Sequence, residues 1–285
     1  LPCAAEMQAP RMLATVSHTH SASARDERQS MLRVLCRSLT QLEMVLQAGV
    51  KDVVADFQDI REYRQAVQLA RQADAHIALA TLRIHKPGED GFFLAFAKHQ
   101  ADSWLVRNLS ALRFCQQRQI PFTADFSLNV TNPLTADQLI QWGAARVTAS
   151  YDLNRDQLCE LAQRLPADWL EVVIHQHMPM FHMEHCVFCS VLSPGKDKSD
   201  CGRPCDRHDV QLRDRVGAEH VLHADIGCRN TLYNSTAQSG AEAVEPLQQL
   251  GIRHFRIELL RDAPREEVLE LVQMYRDLLA GKLAG

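Results

Sequence analysis

The chain has 285 residues, 46% of them hydrophobic and 23% charged, which is an ordinary globular composition with enough apolar residues for one large core. The formal net charge is −4 and the pI about 6.4, so no global basic field marks a nucleic-acid binder. No apolar run approaches the roughly 20 residues of a membrane span. The chain begins at Leu rather than Met, as a processed product or a fragment would. Nine cysteines without a secretory signal peptide point to reduced thiols and a cytoplasmic protein.

Residues 1–30 form an irregular N-terminal segment. Within it 11–16 read as a short strand and 17–28 as a linker, whose His18 and His20 read as solvated rather than metal-binding. From residue 31 a rhythm sets in. Short apolar, β-branched runs predict strands over 31–36, 52–57, 76–81, 103–108, 121–126, 145–150, 170–175 and 254–259. Amphipathic runs between them predict helices over 39–46, 60–72, 92–98, 109–117, 135–142, 155–164, 244–250 and 264–279, with Gly49 and Gly143 as stops. Strictly alternating β and α calls for a parallel sheet with right-handed crossovers. Eight units predict an α/β fold, a (β/α)8 TIM-like barrel over 31–280, and no glycine-rich phosphate loop follows the first strand.

The rhythm breaks between the seventh and eighth strands, where 176–240 read as a Cys-rich insertion. Five cysteines lie there: Cys186, Cys189, Cys201, Cys205 and Cys228. The first four read C-x2-C and C-x3-C around a turn-rich loop, spacing that lets soft thiolates close on one centre. A structural zinc ribbon and an iron–sulfur cluster both fit that spacing, and disulfides fit a reducing compartment poorly. In a barrel this insertion is a βα loop on the C-terminal face, where active sites form. Strand-end residues expected on that face include Arg37, Asp56, Arg83, Arg107, Asn108, Asp125, Asn129, Asn132, His175 and Glu258. Arg37, Arg107, Arg203 and Arg229 read as suited to an anionic substrate. Met178, Met180, Phe181 and Met183 read as an apolar lid.

Several runs resemble one family. They are Glu171-Val-Val-Ile-His175, Cys186, Cys201-Gly-Arg-Pro-Cys205, Leu212-Arg-Asp-Arg215 and Cys228-Arg229, together with Asp125-Phe-Ser-Leu-Asn129-Val-Thr-Asn132, Arg256-Ile-Glu258-Leu and Arg37 with Gln41-Leu42. Together they resemble peptidase family U32, the collagenase-like protease group, over roughly 31–280. The resemblance implies a TIM-like barrel. In some members it implies a [4Fe–4S] cluster serving oxygen-independent hydroxylation of RNA pyrimidines or of quinone precursors, which are small aromatics. It implies Cys186, Cys201, Cys205 and Cys228 as ligands. One branch has a cysteine where Pro179 stands here, and Cys189 is a rival ligand without a counterpart. Zinc is the alternative metal. In this reading Asp125, His175 and Glu258 orient substrate or move protons, while Asp56, Arg107, Asn108, Asn129 and Arg229 bind it. Collagenase-like peptidase activity and a non-catalytic barrel are the rival readings. No zinc-protease H-E-x-x-H and no G-x-S-x-G elbow occurs in the chain.

Overall fold

The computed structural model describes residues 29–260 and 263–285. The N-terminal readings on 11–16, His18 and His20 lie outside the described residues.

Eight parallel strands close into a barrel: β1 (Met31–Cys36), β2 (Asp52–Ala55), β3 (His76–Ala80), β4 (Ser103–Val106), β5 (Phe122–Ala124), β6 (Arg146–Thr148), β7 (Leu170–Met183) and, after three further strands, β11 (His254–Glu258). β11 closes the ring by pairing with β1, Met31 opposite His254 through Leu35 opposite Glu258, and with β7. The helices outside are α1 (Leu39–Gln47), α2 (Tyr63–Gln72), α3 (Gly91–Lys98), α4 (Leu109–Arg118), α5 (Pro133–Gln141), α6 (Arg155–Gln163), α8 (Ala241–Gln249) and α9 (Arg265–Leu279). Side-chain caps start several of them: Ser38 for α1, Asn108 for α4, Asn132 for α5, and an Asn154–Gln157 capping box for α6.

The strand period of two sorts side chains into two environments. Val34, Cys36, Val53, Ile77, Trp104, Val147, Val172 and Phe255 pack outward into the large apolar core against the helices. Inward positions carry a small apolar patch of Leu35, Val54, Ala78, Ala80 and Leu105, and a large ionic one. Arg33 bonds Asp52 at 3.0 Å and Glu171 at 2.9 Å. Arg256 bonds Glu171 and Asp125, each at 2.6 Å, and Glu258 at 3.1 Å. Arg107 bonds Asp56 and Asp125, both at 2.9 Å, and Arg37 bonds Glu258 at 3.0 Å. Desolvating charges is costly, so each must find its opposite inside, and here each does.

The predicted strand over 170–175 runs on to Met183, because its outer half pairs antiparallel with β10 (Asn230–Ser239). β9 (Glu219–Ala224) and β8 (Val210–Arg213) extend this sheet beyond the barrel mouth. Met178, Met180, Phe181 and Met183 are therefore strand residues, not a lid, and Phe181 is 60% exposed. Pro179 lacks an N–H and falls where the register slips around Tyr233, the kind of irregularity that tolerates proline in a strand. Helix α7 (Val187–Leu192) packs Phe188 on Leu222, Ala224 and Leu232, a small second core that seats the cysteine segment on the sheet.

Candidate functional site

Two cavities meet at the mouth of the barrel. The first, about 50 Å³, is lined by Arg37, Asp56, Tyr63, Arg83, Arg107, Phe126, Pro179, His182, His223, Asp225, Thr231, Tyr233 and Glu258, with backbone and apolar neighbours. The second, about 20 Å³, is lined by Cys186, Cys201, Cys205 and Cys228, with Gln58, Lys198 and Arg203. Ala224, Asp225 and Ile226 line both cavities, so one short stretch of backbone separates them.

Each cysteine arrives by a different local device. Cys186 is the N-cap of α7, and its Sγ accepts from Cys189 N at 3.5 Å. Cys201 closes the turn-rich loop, its N–H donating to Asp197 O at 2.9 Å, and Arg203 N donates to its Sγ at 3.4 Å. Cys205 lies in the short 3-10 turn Pro204–Asp206, tied to the barrel by Gln58 Nε2 donating to Cys205 O at 3.0 Å. Cys228 sits at φ +64° in the turn between β9 and β10, with Cys228 N donating to Asp225 O at 3.0 Å. Burial pushes the Cys205 thiol up to about 11, with Asp206 and the neighbouring thiols adding to it, and it raises Cys228 too. A bound cation would have to displace those protons, since a ligating thiol binds as the thiolate. Cys189 lines neither cavity; it is buried, its Sγ faces Gly195 O at 3.5 Å, and its thiol also lies beside those of Cys201 and Cys186.

A donor set of four thiols, two of them receiving backbone N–H bonds at sulfur, suits a soft iron–sulfur group. Among the described residues no group of three or more His, Cys, Asp or Glu is drawn together to hold a metal ion; the four thiols instead ring a shared cavity.

The predicted site residues separate into four fates. Asp56, Arg107 and Glu258 do line the mouth cavity. Asp125 lies beneath it with no exposed surface. Burial would push its carboxyl up, but Arg256 and Arg107 outweigh that and hold it down to about 2. It is an anchor for the two arginines, and the expectation that it moves protons is corrected on that ground. His175 turns to the opposite side of β7, where its Nδ1 lies 3.1 Å from Tyr275 Oη in a separate cavity of about 310 Å³. Asn108 is spent on its helix cap, accepting from Ala111 N and donating to Leu82 O, and Asn129 sits at φ +56° ending a 3-10 turn. Neither asparagine lines the mouth cavity.

The arginines are also committed. Arg107 is bonded to two carboxylates, Arg229 to Glu89 and Glu184 at 2.8 Å each, and Arg203 to Asp206 at 2.8 Å and Asp59 at 3.1 Å. The expectation that they wait for an anion is corrected: internal acids already hold them. Sequence reasoning missed His182, His223, Asp225, Thr231 and Tyr233. They come from the outer half of β7, from β9 and β10 and from the turn between those two, which no periodicity in a cysteine-rich run announces. Asp225 has its carboxyl raised to about 6, chiefly by burial. His182 is lowered to about 4 by burial, with Arg83 and Arg107 adding to it.

The fold and this pair of cavities define a (β/α)8-barrel protein with a polar mouth pocket backed by a thiol-lined cavity. The chain belongs to peptidase family U32, whose family model matches residues 45–285. Among solved structures it is similar to tryptophan synthase from M. tuberculosis in its aminoacrylate- and BRD0059-bound form (11% identity, 90% of this chain and 94% of that chain, TM-score 0.45). It is also similar to a putative fructose-1,6-biphosphate aldolase from Coccidioides immitis (11% identity, 89% and 88%, TM-score 0.44) and to the Bacillus cereus spore cortex-lytic enzyme SleL (10% identity, 85% and 74%, TM-score 0.42). Likeness at this level says nothing about chemistry. No helix among the described residues is long and apolar enough to cross a membrane.

Proposed function

We propose that this U32 protein holds a [4Fe–4S] cluster through Cys186, Cys201, Cys205 and Cys228, and that it is an oxygen-independent hydroxylase acting on an RNA pyrimidine or a small aromatic. The observation that carries the reading is the shared wall: Ala224, Asp225 and Ile226 face both the thiol cavity and the polar pocket. When bound, such a cluster supplies one-electron redox chemistry beside whatever the pocket holds. The net change, C–H to C–OH, is a two-electron oxidation. Its oxygen comes from water, with a separate electron acceptor, or from a hydroxyl-bearing co-substrate reduced in exchange. The chain's own residues supply the pocket: Arg37 and Arg107 are fixed by carboxylates, Tyr233 lies under Arg37 at 5.0 Å, and Phe126 offers a flat face near Arg83. The test is iron and acid-labile sulfide in protein made without oxygen. Brown protein with broad absorbance near 400 nm (about, for iron–sulfur charge transfer) supports the reading, and colourless protein with one zinc refutes it.

One contact favours a hydrolytic second reading. Thr231 Oγ1 lies 2.9 Å from His182 Nδ1 in the pocket, a hydroxyl beside an imidazole. Peptide or gelatin cleavage abolished by Thr231→Ala but not by cysteine substitution would establish it.

A further inference from the structure

We propose that the mouth pocket selects an uncharged group with one acceptor and one donor, such as a primary carboxamide or a lactam edge, over an anion. The inference rests on reading this pocket as the substrate site. Three buried polar atoms on its lining residues have no hydrogen-bond partner: Arg37 Nε, which stands 3.8 Å from Asp56 Oδ2, beyond hydrogen-bond reach, His182 Nε2, and Oδ2 of Asp225, a residue that lines the thiol cavity as well. Buried polar atoms are almost always paired, so three on one cavity mark a surface that a ligand completes.

None of the three residues can turn to find another partner. Arg37 is clamped by Glu258 at 3.0 Å and by the carbonyl of Leu259, with Tyr233 against its face. The other oxygen of Asp225 accepts from Gly227 N at 2.8 Å and Arg229 N at 2.9 Å. The other nitrogen of His182 is taken by Thr231. A fitting group therefore gives an acceptor to Arg37 and a donor to Asp225, while His182 takes either role according to its tautomer. A carboxylate or phosphate brings acceptors alone and sets an oxygen against Asp225.

Charge agrees with this. The pocket's three arginines, Arg37, Arg83 and Arg107, face three acids, Asp56, Asp225 and Glu258, leaving no surplus for an anion. Size agrees too. One water needs about 10–15 Å³ of such space, so a cavity of about 50 Å³ holds a group of a few heavy atoms.

Benzamide and benzoate, alike in shape, test this by ligand-observed NMR on the whole chain at pH 8. Benzamide is expected to bind about tenfold tighter or more, the worth of a hydrogen bond to a charged group. Asp225→Asn keeps the turn's acceptor and puts a donor where Oδ2 stood, so it should invert the order. His182→Phe, outside that turn, should weaken benzamide and serves if Asp225→Asn does not fold. Equal affinities, a benzoate preference in the unsubstituted protein, no binding of either, or a preference unmoved by both substitutions would overturn the inference. Iron measured on the same samples separates the two readings. Iron without amide preference sinks this one alone, and amide preference without iron sinks only the cluster.

Discussion

Arg256 donates to Asp125 across the barrel interior at 2.6 Å, and neither side chain touches solvent. The pair sits between two layers of like construction, Arg33 with Asp52 and Glu171 below, Arg37 and Arg107 with Asp56 and Glu258 above. The barrel is thus filled by charge where many barrels are filled by aliphatic side chains. This network, rather than an apolar plug, holds the pocket floor in place.

Removing one member of that network leaves its partners buried and unpaired. Asp125→Ala is expected to cost about 3–5 kcal/mol, read as a lower midpoint in urea. Arg107 would lose one of its two carboxylates, so pocket binding should weaken as well.

Acid should dismantle the same network late. The Asp125 carboxyl is held down to about 2, and Asp52 and Asp56 are lowered as well. A depressed carboxylate stabilises above its unfolded value, about 3.9, and loses that contribution as pH falls toward the folded value. Stability should therefore drop between about pH 4 and pH 2, and Asp125→Asn should flatten that drop in denaturation curves.

A second loss should occur at higher pH. Burial lowers His175, His182 and His254 to about 4 each. These imidazoles are neutral in the folded chain, while the unfolded chain takes protons near pH 6.5. Their contribution is complete above that value and falls away as pH drops through 6.5 toward 4. Chemical denaturation at pH 7 and pH 5 should show the decline, and His254→Gln should make it smaller.

Cysteine substitutions should divide four to one. Replacing Cys186, Cys201, Cys205 or Cys228 by Ser should abolish bound iron. Cys189→Ala should keep it, because Cys189 Sγ faces Gly195 O and lines neither cavity. Iron per chain, measured after anaerobic preparation, checks both halves.

Gly195 should be irreplaceable for a packing reason. A Cβ there would come within 2.6 Å of Asp200 O and Cys201 Cα, both backbone atoms that cannot swing away. Gly195→Ala should displace Cys201, reduce bound iron and cost about 1–3 kcal/mol, while leaving the far-ultraviolet spectrum of the barrel unchanged.

Much of the architecture was open to reading from residue order alone. Short β-branched runs alternating with amphipathic ones announced eight βα units, and Gly49 and Gly143 marked where helices end, whereas Asn108 and Asn132, read as site residues, proved to be helix caps. Thiol spacing marked Cys186, Cys189, Cys201 and Cys205, of which three line the thiol cavity; only the family resemblance put Cys228 in place of Cys189. Side-chain direction was not open to the same reading. His175 and Asp125 look equally functional at strand ends, yet the slip in β7 turns one outward to Tyr275, and the arginines of two other strands bury the other. His182, Asp225 and Tyr233 became pocket residues only when β7 overran the barrel and paired with β10, folding a distant stretch over the mouth. Local periodicity is set by neighbours in the chain and so can be read in one dimension. Which charge neutralises which, and which polar atom is left unpaired, depends on groups as far as 221 positions apart, as Arg37 and Glu258 are, and only the closed three-dimensional barrel decides it.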